Sequence, residues 1–279
     1  MSISLKNIGG RQSIVSYSPA TGSSPAPWFQ TKSLDLDGVG DFLDPQIDAA
    51  DFQTLIHDSH TVSFWAKSTW NANKTMMASS NQGSITSGGD IRINFTSFYG
   101  YKFYQVGGRM DGNTWGGAVF FAGVADTTTD DWHHFCLVLE RGETASDVGT
   151  YRLYINGVSR ANGTTHTRTK QESSTTLSSN GTHVGWYIGA SNNNSLAADQ
   201  NFSGKMDEIA IWDAALDGEA VTAIYNSKAA TNLLVDSGDY DVSSNLKYYY
   251  RLEDDATDEK GNSDGILQGD PVFSTDVPS

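Results

Sequence analysis

The residues best suited to bind a metal ion are two aspartates in one short turn. Asp37 and Asp41 bracket the sequence Asp37-Gly38-Val39-Gly40-Asp41, which follows a short alternating apolar run. Carboxylate oxygens and loop carbonyl oxygens are the ligands that Ca²⁺ prefers. The turn therefore predicts a structural Ca²⁺ site, with turn capping by the same carboxylates as the alternative.

A second group of candidate residues is aromatic. Aromatic rings offer broad apolar faces with polar tips, which suit the faces and hydroxyls of pyranose sugars. Packing inside a sandwich or between subunits is the alternative role for each ring, since aromatic residues make up 11% of the chain. The residues predicted to bind carbohydrate are Trp70, Tyr99, Tyr101, Trp115 and Trp186, with Tyr104 beside them in sequence.

The chain lacks the patterns that are typical of a catalytic centre. His133 and His134 are adjacent on one predicted strand, so their side chains diverge and do not pair on one face around a metal. We expect one of them to be buried and hydrogen bonded. Cys136, the only cysteine, lies in an apolar run and is predicted to be a buried hydrophobe. The sequence has no nucleophile elbow, Walker loop or dinucleotide-binding fingerprint.

Short alternating apolar runs, separated by Gly, Ser, Asn and Asp, dominate the elements that must position these residues. This pattern predicts an all-β, antiparallel β-sandwich of the jelly-roll kind with one short helix and extended termini. Asn156-Gly157 is the strongest hairpin signal. The helix is predicted to start at Asp217 and to present Ala220, Val221, Ile224 and Tyr225 as its apolar stripe. The predicted strands include 61–67, 90–95, 99–105, 117–122, 132–140, 151–155, 182–188, 205–212, 246–252 and 265–267.

The charge of the chain excludes some partners. Acidic residues number 33, of which 26 are Asp, against 18 basic residues, and the net charge is -15. Such a charge repels nucleic acid, and no basic stripe offsets it. The N-terminal residues lack an apolar core of signal-peptide length, and no stretch approaches the length of a membrane span. We therefore expect synthesis in a cytoplasm, with no nucleic-acid partner and no membrane insertion.

The distribution of Pro and of alternating runs divides the chain into three parts. Residues 1–31 are predicted to be an arm, because Pro19, Pro25 and Pro27 stand among small residues there. Residues 32–231 form the predicted jelly roll, and residues 232–279 are a C-terminal segment that completes or flanks it. Trp28 and Phe29 are candidate anchors of the arm, either on the domain or on a neighbouring subunit. The acidic stretch 255–265 is predicted to be a solvated turn.

Ordered motifs of this chain resemble the laminin G-like, concanavalin A-like lectin/glucanase superfamily. They run from the opening strand Ser33-Leu34-Asp35-Leu36-Asp37-Gly38 to the closing strand at residues 202–212. Between them lie Thr61-Val62-Ser63-Phe64-Trp65, Trp132-His133-His134-Phe135, Leu153-Tyr154-Ile155-Asn156-Gly157 and Tyr187-Ile188-Gly189-Ala190. The resemblance implies a jelly roll whose closing strand lies beside the opening one. It therefore adds Asp207 to Asp37 and Asp41 as a third candidate Ca²⁺ ligand.

The resemblance also bears on catalysis, because glucanases of this superfamily carry paired carboxylates on one strand. Here Met206-Asp207-Glu208-Ile209-Ala210 offers two acidic residues, but no second Glu follows at the glucanase spacing. Adjacent residues of a regular strand point to opposite faces, so we expect Asp207 and Glu208 to diverge. The sequence therefore predicts a protein that is not an enzyme.

The C-terminal segment, from Asn245-Leu246-Lys247-Tyr248-Tyr249-Tyr250 to Asp264-Gly265, is similar to segments that follow the jelly roll in structural proteins of marine bacteriophages. This resemblance implies a virion structural or appendage protein, located in the virion, that assembles with itself and with other virion proteins. A homo-oligomer is expected, with a trimer as the leading form. The alternative is a calcium-dependent carbohydrate-binding lectin module, for which a host glycan would be the ligand.

Overall fold

The fold is taken from a computed structural model that describes residues 28–48, 58–68, 130–140, 148–160, 186–192 and 201–279, with 51, 54 and 55. Further strands are described chiefly by their backbone. The described strands are β1 (Leu5–Ile8), β2 (Arg11–Ile14), β3 (Ser33–Asp37), β4 (Phe42–Asp44), β5 (His60–Lys67), β6 (Lys74–Ser79), β7 (Arg92–Phe98), β8 (Tyr101–Gly107), β9 (Val119–Ala122), β10 (His133–Glu140), β11 (Val148–Ile155), β12 (Val158–Ser159), β13 (Arg168–Thr169), β14 (Trp186–Ile188), β15 (Ser191–Asn192), β16 (Ala198–Asp199), β17 (Ser203–Trp212), β18 (Leu246–Tyr250), β19 (Ile266–Gln268) and β20 (Val272–Ser274).

Two antiparallel sheets make up the body of the fold, and this confirms the predicted sandwich. The nine-stranded sheet has the order β12-β11-β10-β5-β17-β3-β20, with β13 paired to β11 and β18 paired to β17. The seven-stranded sheet has the order β19-β4-β14-β6-β7-β8-β9. β17 pairs with β3, as the resemblance implies. The pairs β1-β2 and β15-β16 form separate two-stranded sheets.

The space between the two sheets is filled by an apolar core. On β5 the inner residues are Val62, Phe64 and Ala66, the residues that period-two alternation assigns to the core. Their cross-strand partners on β10 include Phe135 and Leu137. Burial of these side chains supplies the main driving force for folding. We call this group, together with the other buried residues between the sheets, the inner cluster.

The opposite face of the nine-stranded sheet is also buried. The helix α1 (Gly218–Tyr225) and the segment that follows it lie over this face, where Ala220, Val221 and Ile224 pack against Trp212 and Tyr249. We call this second group the outer cluster. Ser63 and Trp65, which alternate with the inner residues of β5, are buried here. Alternation along a strand does not show what covers the second face of a sheet.

The C-terminal segment is part of the sandwich. β18 pairs with β17 in the nine-stranded sheet. β19 forms an edge of the seven-stranded sheet, and β20 forms an edge of the nine-stranded sheet. Asp258 organises the turn between β18 and β19, since its buried carboxylate accepts backbone N–H groups of Tyr249, Asn262 and Ser263. The stretch 255–265 is therefore built around a buried carboxylate, and the prediction of a solvated turn was wrong at this residue.

The elements that the sequence predicts best are those with a local signal at a cap or a turn. Asp217 caps α1 by accepting the N–H of Ala220 at 2.8 Å. Asn156 and Gly157 have φ angles of 53° and 72°, which a type I′ turn requires. β6 was not predicted from the sequence. Among the described residues, no helix has the length and apolar character needed to cross a membrane.

Candidate functional site

A cluster of three carboxylates lies where the β3–β4 turn meets the turn between β19 and β20. Oxygen atoms of Asp37, Asp41 and Asp270 all lie within 4.8 Å of one another. Asp41 is buried, and its two carboxylate oxygens accept the backbone N–H groups of Asp37 at 3.1 Å and Asp270 at 2.9 Å. Gly269 packs so closely that a Cβ there would collide with the Asp41 carboxylate. These contacts place Asp270 beside the two predicted residues.

The chemistry of this carboxylate cluster suits a hard cation. Among the described ion pairs, none joins a Lys or Arg to Asp37, Asp41 or Asp270. Three neighbouring carboxylates repel one another, and a divalent cation with oxygen ligands would neutralise them. The residues present therefore fit Ca²⁺. Asp270 was not predicted from the sequence, because only the pairing of the edge strands brings it to the β3–β4 turn.

Asp207, the third predicted ligand, lies elsewhere on the closing strand. Ser203 is the residue of β17 that is paired with Asp37, and Asp207 follows four positions later, roughly 13 Å along the strand. Its cross-strand partner on the other side is Trp65. Asp207 is therefore not one of the residues that meet at the carboxylate cluster.

The predicted carbohydrate-binding residues have different positions in the structure. Trp186 is only 2% exposed and belongs to the inner cluster, so its ring is not available to a sugar. Tyr101 starts β8 and is paired with Phe98 of β7, and Tyr104 is paired with Phe95. Trp70, Tyr99 and Trp115 lie outside the described residues.

Strand register shows how Tyr101 relates to the outer side of the seven-stranded sheet. Leu43 and Ile188 are paired and belong to the inner cluster, so their neighbours Phe42 and Tyr187 lie on the outer face. The rings of Phe42 and Tyr187 meet edge to face with centroids 5.2 Å apart. Tyr187 is paired with Ala78, Ala78 with Arg92, and Arg92 with Gly107 of β8. Tyr101 is six positions from Gly107, so its register position is on the same face as that of Tyr187.

The described strand ends show where the adjoining segments attach. Lys74 starts β6 opposite Phe95, and β7 ends at Phe98 opposite Tyr101. The segment that carries Trp70 joins β6 at this end of the sheet, which is also the end where β7 passes to β8. The segment that carries Trp115 instead follows Gly107, at the other end. Register thus associates Tyr101 with the attachment points of the Trp70 and Tyr99 segments, and not with that of Trp115.

The outer face of the nine-stranded sheet contains a group of buried polar residues. A small pocket, partly open to solvent, is lined by Gln30, Ser63, His134, Glu208, Ile224 and Thr231 among others. His134 Nε2 and Ser63 Oγ are 2.7 Å apart. Burial lowers the pKa of His134 to about 3, so the ring is neutral at physiological pH. The expectation that a histidine of the adjacent pair is buried and hydrogen bonded is therefore confirmed.

A bulge in β17 brings two carboxylates to this face. Asp207 pairs with Trp65 and Ala210 with Ser63, so Glu208 and Ile209 together oppose one residue of β5. Glu208 has a φ of 49°, in the left-handed region. Strand alternation therefore fails here, and Asp207 and Glu208 lie on the same face, contrary to the sequence prediction. They are 0% and 6% exposed.

The surroundings of these two carboxylates favour their protonated forms. Burial raises the pKa of Glu208 to about 7, against the hydrogen bond from Tyr249 and the charge of Arg251, which lower it. Burial and the charge of Glu208 raise the pKa of Asp207 well above its usual value. Arg251 Nε lies 3.5 Å from Glu208 Oε1 and is the only cation paired with either carboxylate among the described ion pairs. Because both carboxylates are buried, a polymeric substrate cannot contact them in this conformation.

Comparison with known families decides how this fold is to be classified. A family model described as the concanavalin A-like lectin/glucanases superfamily, of the laminin G-like type, matches residues 41–222. The chain belongs to this superfamily. The match ends within α1, so this concanavalin A-like domain carries β18, β19, β20 and Asp270 beyond the matched region. No curated protein matches the chain.

Solved structures support the same fold at low sequence identity. A Bacteroides ovatus protein, provisionally described as carbohydrate binding, has a TM-score of 0.54 and 17% identity, over 95% of this chain and 66% of that protein. A heptameric pentraxin from Limulus polyphemus has a TM-score of 0.50 and 11% identity, over 88% and 94%. The carbohydrate-binding module of a Ruminococcus gnavus sialidase, bound to α2,3-sialyllactose, has a TM-score of 0.50 and 14% identity, over 69% and 96%.

Proposed function

We propose that this concanavalin A-like domain is a carbohydrate-binding module that binds its ligand at the outer side of the seven-stranded sheet. The observation that carries the proposal is the unequal covering of the two sheets. Helix α1 and the segment after it cover the outer face of the nine-stranded sheet. Among the described residues, the outer cluster that contains α1 includes no residue of the seven-stranded sheet, whose outer face includes the register position of Tyr101.

Several further features support binding at this side. Trp70 and Tyr99 belong to segments that attach at the end of the sheet where Tyr101 lies. Aromatic rings on a rigid sheet are suited to stack on sugar rings. Two of the similar solved structures are described as carbohydrate binding. The Phe42–Tyr187 pair contributes less free ring area, because Tyr187 is only 5% exposed.

The proposed module binds and does not hydrolyse its ligand. The adjacent carboxylates that could resemble a glucanase pair, Asp207 and Glu208, are buried under Trp28, Arg251 and Tyr249. Glycosidases need two carboxylates on either side of an accessible glycosidic bond. We therefore expect no release of reducing sugar from polysaccharides, and hydrolysis that is lost on Glu208→Gln would contradict this proposal.

A glycan array tests the carbohydrate proposal directly. We expect the full chain to bind at least one glycan class and Tyr101→Ala to lose that binding. Phe29→Ala is the matched control, because Phe29 is 62% exposed and its carbonyl oxygen accepts from Arg251, which follows β18 of the nine-stranded sheet. Absence of binding across the array, with the protein shown to be folded, would contradict the proposal.

We further propose that Ca²⁺ binds Asp37, Asp41 and Asp270 and joins the β3–β4 turn to the β19–β20 turn. A ligand present at about one hundred times its Kd stabilises a fold by about 2.7 kcal/mol. Ca²⁺ is therefore expected to raise the Tm of the wild type relative to EDTA, and Asp270→Asn to remove most of this increase. Asp239→Asn, an exposed substitution, is the control. Equal Tm values with Ca²⁺ and with EDTA would contradict the proposal.

A role in a virion remains a second proposal, in which the domain assembles with itself, as a trimer in the leading case, and with other virion proteins. One observation favours a fixed arm: Trp28 packs on the outer cluster and Thr31 donates to Glu253 at 2.8 Å. The residues before Trp28 would then leave the domain at a defined point. Light scattering of the full chain and of a chain without residues 1–27 tests this. A monomer in both cases would contradict an assembly role for the arm.

A further inference from the structure

The clearest feature that sugar binding leaves unexplained is the carboxylate pair under residues 28–31. Asp207 Oδ1 accepts the backbone N–H of Glu208 at 2.9 Å, whereas Asp207 Oδ2 is buried without a hydrogen-bond partner. Glu208 Oε2 accepts the hydroxyl hydrogen of Tyr249. Burial and their mutual repulsion favour a protonated form of this pair.

Residues 28–31 cover the carboxylate pair through contacts with Arg251. The Arg251 guanidinium lies 4.1 Å from the centroid of the Trp28 ring and donates to the carbonyl oxygen of Phe29. The Trp28 ring also stacks on Tyr249, with centroids 6.3 Å apart. Thr31 donates its backbone N–H to Glu253 at 2.8 Å. Arg251 and Tyr249 thus contact Glu208 as well as the segment that covers the two acids.

A small, partly open pocket connects the covering segment with Glu208. Gln30 of the covering segment and Glu208 line the same pocket, together with Thr231 and Leu233 of the chain that follows α1. Displacement of residues 28–31 would therefore expose Glu208 to solvent, which favours its ionised form. Opening of the segment and loss of the proton consequently support each other.

We propose that Asp207 and Glu208 form a proton-dependent latch, in which a proton bound by the pair keeps residues 28–31 closed on the sheet and loss of that proton releases them. The backbone bulge at Glu208 is the feature that makes the latch possible, because it places both acids on one face. Release would free the arm that precedes Trp28, so the latch would control whether residues 1–27 are held at the domain. This inference does not depend on sugar binding.

The other titratable groups around the pair do not replace it as the switch. His134 faces the pocket from β10, and burial holds its pKa at about 3. Tyr249 comes from β18, and burial holds its pKa well above the usual value. Arg251 and Glu253 follow β18 and form an ion pair at 3.3 Å. The lining residues given by α1 and the chain after it are Ile224, Ala229, Thr231 and Leu233, which carry no charge.

Hydrogen exchange of residues 28–32, measured by mass spectrometry on the full chain between about pH 5 and about pH 9, tests the latch. The matched variant is Asp207→Asn with Glu208→Gln, which keeps the acceptor oxygens and removes both charges. Comparison of wild type and variant at each pH cancels the intrinsic pH dependence of exchange. At low pH, the wild type and the double variant are expected to protect residues 28–32 equally. At high pH, protection is expected to be about tenfold lower in the wild type, and the midpoint of this change should lie near the Glu208 pKa of about 7.

Two outcomes would overturn the latch. One is protection of residues 28–32 in the wild type that stays equal to that of the double variant at every pH. The other is loss of protection over the whole chain together, which would mean that the pair acts on global unfolding. If the double variant does not fold, Asp207→Asn alone is compared, with Asp239→Asn as the control for a lost exposed charge.

Discussion

The two faces of the nine-stranded sheet are both buried, but by different means. The inner face packs against another sheet through apolar side chains such as Val62, Phe64 and Leu137. The outer face is covered by α1, Trp28 and the C-terminal segment, and it contains Ser63, His134, Asp207 and Glu208 as well as apolar residues. The difference indicates that the inner face stabilises the sandwich, whereas the outer face joins Trp28 and the C-terminal segment to it. We expect the outer face to be the more sensitive to pH.

The largest expected effect concerns the inner face. Phe135→Ala should lower the free energy of unfolding by about 3–5 kcal/mol, because it leaves a cavity between the sheets. Cys136→Ala, the next residue on β10, is the outer-face control, and its smaller side chain should cost roughly 1 kcal/mol. Urea denaturation measures both. An equal loss for the two variants would remove the distinction between the faces.

The second effect is the pH dependence of stability that the outer-face acids impose. Folding raises the pKa of Glu208 from 4.5 to about 7, so in this interval the folded chain holds a proton that the unfolded chain has lost. The stabilisation is complete below the unfolded pKa and is lost as pH rises through the folded pKa. The free energy of unfolding should fall by up to about 1.4 kcal/mol per pH unit for one proton.

Denaturation curves taken across this interval check the sign. Asp207→Asn with Glu208→Gln should flatten the slope. A wild-type stability that rises with pH over the same interval, with no change in the double variant, would show that these acids are ionised in the folded chain.

Tyr240 probes the outer face without a change of charge. Its hydroxyl donates to the Leu233 carbonyl oxygen at 2.8 Å and accepts from Trp212 Nε1 at 3.2 Å. Tyr240→Phe leaves these buried partners unsatisfied and should cost about 1–3 kcal/mol. Tyr225→Phe is the control and should cost little. No loss for Tyr240→Phe, measured by thermal unfolding, would mean that water replaces the hydroxyl.

The smallest effect is expected at the sheet edge that β20 forms. Asp276 accepts from Lys67 at 2.9 Å and from Trp132 at 2.9 Å. Burial raises its pKa, but these hydrogen bonds outweigh burial and hold the pKa below the usual value. Because Asp276 is partly exposed, Asp276→Ala should cost only about 0–1 kcal/mol. A larger loss would assign the C-terminus a greater share of the stability.

The sequence predicted what depends on local pattern. Alternation identified β5 and β10, the Asn156-Gly157 turn gave the β11–β12 hairpin, and Asp217 marked the start of α1. The covered outer face was not predicted, because its cover comes from residues far away in the chain. Asp270 meets Asp37 and Asp41 only through long-range strand pairing. Asp207 and Glu208 share a face only because of a bulge, which binary patterning does not reveal.

Quantitative titration of the glycan selected on the array, with wild-type protein and with Tyr101→Ala, tests most directly whether the seven-stranded sheet binds carbohydrate. We predict that the substitution weakens binding at least about tenfold, which corresponds to roughly 1.4 kcal/mol, while Phe29→Ala leaves the Kd unchanged. An unchanged Kd for Tyr101→Ala, or equal losses for the two variants, would contradict binding at this side of the sheet.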